Sequence, residues 1–200
     1  MFNFLKNNDS MKTLYSYSKA LGFTQLCLFI GGLIIFMLAG ILDWSMPAHS
    51  LQYYYGVTGV ITWLMMALWF WLIYRSFAPK KLPLSVLCIA VAACLIKCAL
   101  DANIYLLVGT TATTIMRWIA DIALMISFLW LWKEYCTPAR IYISLFTLLP
   151  LIANLCRLYA HHTNMDPTYI SLFGLLDALS LFFGIAFFLR FAKQLKRSQI

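Results

Sequence analysis

The chain has 200 residues, 63% of them hydrophobic and 11% charged, with a mean hydropathy of +0.82 and a formal net charge of +8. Soluble domains carry roughly a quarter of their residues as charge, so this composition points to an all-α, polytopic membrane protein with no length left for a separate soluble domain. The net charge then belongs to a membrane surface and its anionic lipids, and nucleic-acid binding is set aside.

The N-terminal stretch MFNFLKNNDSMKTLYSYSKALGF is too long and too polar to precede a signal-peptide core. Met11, Leu14, Tyr15, Ser18 and Leu21 recur at helical spacing, and Ser10 is placed to cap a short helix at the cytoplasmic interface. Residues 1–22 are read as that interfacial segment, 23–191 as the membrane domain, and 192–200 as a basic cytoplasmic tail.

Six apolar runs are long enough to cross ~30 Å of hydrocarbon, near 23–42, 56–77, 83–107, 112–132, 138–160 and 168–191. The breaks between them carry Pro47, APKKLP, VGTT, CTP and NMDP, which are turn or helix-start signals. Continuous rather than alternating apolarity, with no edge that lipid would tolerate, makes the expected fold a bundle of six transmembrane helices.

Gly31, Gly32, Ala39 and Gly40 in the first run permit close helix contact. Trp63, Trp69 and Trp71 lie deep in the second and read first as packing residues, then as a stacking face for a ligand. Trp44 and Tyr53–Tyr55 form an expected outer aromatic belt, and Trp130, Trp132 and Tyr135 an inner one. Cys27, Cys88, Cys94, Cys98, Cys136 and Cys156 have no C-x-x-C spacing and read as small buried hydrophobes, not as a disulfide or zinc framework.

Cations set the orientation. Lys6, Lys12, Lys19, Arg75, Lys80, Lys81, Lys133, Arg140, Arg190, Lys193, Lys196 and Arg197 all fall on one side, while the opposite loops contain no Lys or Arg. Both termini are therefore expected in the cytoplasm, in an inner (plasma) membrane protein.

The remaining charges lie within the spans. The third and fourth runs should form a hairpin turning near Gly109. Asp101 and Arg117 each lie eight residues from that centre, and Lys97 and Asp121 each lie twelve. Equal distance means equal depth, and i,i+4 spacing puts both charges of each helix on one face. Two cross-helix pairs, Asp101–Arg117 and Lys97–Asp121, are therefore expected in place of intrahelical Lys97–Asp101 and Arg117–Asp121. Exchanging the charges of Asp101 and Arg117 should then preserve that pair. Pairing relieves much of the cost of a charge in hydrocarbon, so the ladder has a structural reading as well as a functional one.

Asp177, Asn154 and Arg157 are left over. By the same counting, Asp177 lies level with Lys97 and Asp121, opposite Pro150 and Leu151, while Arg157 lies nearer the outer surface. The expectation is a polar cavity opening outward, with Arg117 and Arg157 at its mouth and Asp177 at its floor. Pro150 should loosen the fifth helix beside that floor. The candidate ligand-binding residues are Lys97, Asp101, Arg117, Asp121, Asn154, Arg157 and Asp177.

No catalytic motif appears, the only glutamate (Glu134) is in a cytoplasmic loop, and His49, His161 and His162 have no metal or haem spacing. The chain reads as a non-enzyme without cofactor or metal. It is expected to bind or transport a small anionic, zwitterionic or lipid-headgroup ligand. The alternative is a sensor or scaffold that responds to envelope perturbation, such as stress or phage attack, and recruits a cytoplasmic protein at its basic loops and tail. Faces rich in Gly and Ala favour a homo-oligomer.

Overall fold

The computed structural model describes residues 8–41, 48–76, 83–102, 111–135, 140–163 and 167–197. These form six α-helices and no strand: α1 (Asn8–Ile41), α2 (Ala48–Ser76), α3 (Leu84–Ala102), α4 (Thr111–Tyr135), α5 (Arg140–His162) and α6 (Pro167–Arg197). Among the described residues, five of the helices contain a stretch long and apolar enough to cross a membrane: Asp9–Ile35, Gly56–Ser76, Leu84–Ala102, Ala112–Leu131 and Ile141–Ala160. α6 carries Asp177 in its first half and Arg190, Lys193, Lys196 and Arg197 near its end. Pro47, the turn at Gly109 and Cys136 lie outside the described residues.

Each helix packs on the next in the chain, and α6 returns against α1, so the six form a closed ring in sequence order. Short connections produce this order, because an antiparallel neighbour is the nearest apolar surface available to each new helix.

The start of the chain departs from expectation. Among the described residues no short helix stands apart from the first span: α1 runs unbroken for 34 residues, about 51 Å at 1.5 Å per residue. Ser10 lies inside its first turn, not at a cap, and its carbonyl accepts the Ser76 hydroxyl at 3.2 Å. Met11, Leu14, Ser18 and Leu21 keep the expected helical stripe, but they are buried in the bundle. α2 likewise begins at Ala48, eight residues before the expected 56, and takes in part of the predicted outer loop.

One end of the ring is filled by aromatic rings. Trp69 is fully buried and meets Phe188 and Phe191 of α6 edge-on at 5.1 and 5.5 Å, and Phe128 of α4 at 6.1 Å. Phe128 in turn meets Phe146 of α5 at 5.6 Å. Aromatic pairs of this kind are worth about 0.5–1.5 kcal/mol each beyond the area they bury. Trp69 donates its indole N–H to Ser18 Oγ at 2.9 Å, which removes its only unmet polar group. Trp69 is thus a packing residue as expected, whereas Trp71 is exposed with Arg75 over its ring at 5.5 Å. Cys94 is buried as expected, but Cys27 and Cys88 are exposed, and no described cysteine is in a disulfide. Both exposed thiols sit on helix surfaces that an apolar solvent would cover.

Pro150 has a compensating partner. It lies inside an unbroken α5 and cannot donate to the carbonyl of Phe146, one turn back. Ser180 of α6 supplies the missing donor, its hydroxyl 2.9 Å from Phe146 O. The expected loosening is therefore offset, and the same bond fixes the register between α5 and α6.

Candidate functional site

At the other end of the ring the buried residues include Lys97, Asp101, Asp121 and Asn154. α3 and α4 meet as counted from the sequence. Lys97 pairs with Asp121, and Arg117 Nη2 lies 2.9 Å from Asp101 Oδ1. The intrahelical alternative is not adopted. With the cation N-terminal to the acid, those pairs would be in the weaker orientation, and they would leave each helix's charge uncompensated by its neighbour.

Both carboxylates use both oxygens. Asp101 Oδ2 accepts the indole N–H of Trp63 in α2 at 2.9 Å. Asp121 Oδ2 accepts the side-chain amide of Asn154 in α5. Lys97 also lies 4.3 Å from the centre of the Trp63 ring, a cation–π contact that adds to the ion pair. Trp63 thus joins the two rungs, a role separate from the packing and stacking roles expected of it.

The network continues to α6, and here the depth count fails. Asp177 is no unpaired floor: it pairs with Arg157, whose other terminal nitrogen donates to Asn154 Oδ1 at 3.1 Å. Measured from the middle of the connection, the two differ in depth by about five residues, or ~7.5 Å of helix rise. The long arginine side chain spans that offset. One chain of contacts therefore links α2, α3, α4, α5 and α6 in ring order, through three cations and three carboxylates.

Exposure varies along this chain. The Lys97 and Asp121 side chains are 7% and 4% exposed, against 30% for Arg117, 32% for Arg157 and 42% for Asp177. The direction of that exposure follows from helical geometry at about 100° per residue. On α5, Arg157 shares the face of buried Phe146 and Asn154, opposite exposed Leu155 and Tyr159. On α6, Asp177 shares the face of buried Ser180 and Phe187, and on α4 Arg117 that of Leu124 and Phe128. All three lie on the inward faces of their helices and are still partly exposed.

All seven sequence-predicted candidates are brought together. Sequence reasoning missed Trp63 as a hydrogen-bond partner, and it missed Gly59. A Cβ built on Gly59 would lie 2.2 Å from Asp101 Oδ2, so only glycine lets the carboxylate lie against α2. Each has a weak sequence signal: Gly59 and Trp63 are one turn apart on one face of α2. Among the described residues no three His, Cys, Asp or Glu side chains converge as a metal would require. Comparison with family models, with curated proteins and with solved structures finds no match to this chain.

Proposed function

We propose that the chain is a six-span inner-membrane protein with both termini in the cytoplasm, and that its outer polar mouth binds or transports a small charged ligand. The orientation rests on the twelve cations confined to one side. The observation that carries the functional reading is the graded exposure of the network, which is sealed at Lys97–Asp121 and open at Arg117, Arg157 and Asp177. A purely structural set of pairs has no need of an accessible end on inward helix faces, and ionisable groups at membrane depth mark binding sites or pathways by default. Because the cations and acids at the mouth are already paired, a zwitterion suits them best. Its anionic end takes guanidinium donors while its ammonium takes the carboxylate, and no net charge is added to the interior.

The reading predicts that a small zwitterionic or anionic molecule, free or as a lipid headgroup, co-purifies with the chain and is detected by mass spectrometry. Arg117→Ala and Asp177→Ala should each lower its retention at least tenfold while the protein still inserts and folds, the arginine change with a lowered melting temperature because Asp101 loses its cation. Undiminished retention in both well-folded variants rules the reading out.

A second reading, the scaffold that recruits a cytoplasmic protein, rests on the end of α6. Lys193 and Lys196 are exposed there while Phe191, Ala192 and Leu195 are buried. Truncating residues 190–200 would remove part of the core, so charge neutralisation is the cleaner test. Lys193→Gln with Lys196→Gln should abolish capture of a cytoplasmic protein on that reading, and should leave ligand retention unchanged on the first.

A further inference from the structure

The contact network takes a residue from every helix of the ring except α1. Yet α1 carries Gln25, which is 1% exposed and whose amide oxygen and nitrogen both have no hydrogen-bond partner. A buried amide left in this state costs free energy comparable with lost hydrogen bonds, and more so where lipid excludes water.

Two observations place it. Gln25 lies on the stripe of Leu14, Ser18 and Leu21, all fully buried, and so points to the middle of the ring. The α1–α2 register is fixed by Ser10 on Ser76, Ser18 on Trp69 and Tyr54 on Leu28. On that register Gln25 lies opposite residues 57–62 of α2, the stretch containing Gly59 and adjoining Trp63. Gln25 is therefore at the depth where Asp101 and Lys97 meet α2.

We propose that Gln25 completes the binding site and selects for a ligand with a neutral hydrogen-bonding group, which deepens the reading above and rests on it. An amide needs an acceptor for its N–H and a donor for its carbonyl oxygen. A carboxylate answers only the first and an ammonium only the second, whereas a hydroxyl or a carboxamide answers both. The ligand class is then a small zwitterion with a hydroxyl or amide side group, that is, a polar amino acid. Its ammonium and carboxylate engage Asp177, Arg157 and Arg117, and its neutral end engages Gln25. Sites built to hydrogen-bond a polar group reject analogues that lack it far more strongly than apolar pockets reject an added methylene.

The test uses the full chain in phosphatidylcholine nanodiscs and two nearly isosteric probe pairs, L-serine against L-2-aminobutyrate and L-glutamine against L-norleucine. The wild type should bind the polar member of at least one pair tenfold or more tightly than its apolar counterpart. Gln25→Leu should bring the two within about twofold, and its melting temperature without probe should equal or exceed that of the wild type, since the unpartnered amide is gone. Gln25→Met serves if the leucine variant does not fold. A preserved tenfold preference in the variant overturns the assignment. So does an unchanged preference with a lower melting temperature, which marks Gln25 as structural. If no probe binds but an Arg117-dependent molecule still co-purifies, this inference falls and the binding reading stands. If neither is seen, both fall.

Discussion

Lys97→Met should destabilise the folded chain by about 3–5 kcal/mol, the usual loss when one member of a buried ion pair is removed. Lys97 is held on two sides, by Asp121 and by the Trp63 ring, and neither it nor Asp121 has appreciable access to solvent. Methionine fills nearly the same volume, so the loss is electrostatic rather than a cavity effect. What remains is Asp121, with one oxygen on Asn154 and the other facing an apolar thioether. Adding Asp121→Asn should recover most of the loss, because the amide is neutral and its oxygen still accepts from Asn154. The measurement is a double-mutant cycle of unfolding in mixed micelles, with a coupling of at least 2 kcal/mol expected. A purely additive cycle would show that the two groups do not depend on each other. The same change at the outer rung, Arg117→Met, should cost less, because that guanidinium is 30% exposed and partly screened.

Much of the site was legible because it depends on two regularities. Helical rise makes depth a matter of counting, and the cost of charge in hydrocarbon makes opposite charges at equal depth partners. Lys97–Asp121 and Asp101–Arg117 follow from those alone, since their rungs are level and neither pair needs a long reach. Arg157–Asp177 was not legible for the opposite reason. Its members are offset by more than a turn, and only side-chain length closes the gap. Ser180 was invisible because hydroxyls are common in membrane helices. Its importance appears only when the carbonyl freed by Pro150 is located and its donor sought. The closed ring was also beyond the sequence, which sets neighbours in the chain but not that α6 meets α1. The separate short helix expected within residues 1–22 instead joins α1, because polar residues such as Ser18 can be buried in the bundle when a partner such as Trp69 lies opposite.

Gly59→Ala should cost about 2–4 kcal/mol, the sum of overpacking and of weakened charge-assisted hydrogen bonds to Asp101. The added methyl would lie 2.2 Å from Asp101 Oδ2 and 2.8 Å from its Cγ, well inside any tolerable contact. Asp101 has little freedom to retreat, because one oxygen is held by Trp63 and the other by Arg117. The carboxylate must leave at least one partner, or α2 and α3 must part along their whole interface. This close approach also changes the outcome expected of charge exchange. Asp101→Arg with Arg117→Asp would pair well on charge alone, but the bulkier guanidinium has no room beside Gly59, so rescue is not expected at this rung. Gly22→Ala provides the control. Its Cβ would come within 2.9 Å of a methyl and 3.0 Å of Cγ of Leu189, an apolar side chain with no polar partner to hold it and free to turn about χ1. That variant should lose less than about 1 kcal/mol. Unfolding of the two variants under identical conditions decides the matter. Equal losses would mean that Gly59 is only a small residue at a helix crossing, and a larger loss at Gly59, accompanied by altered Trp63 fluorescence, would tie it to the Asp101 carboxylate.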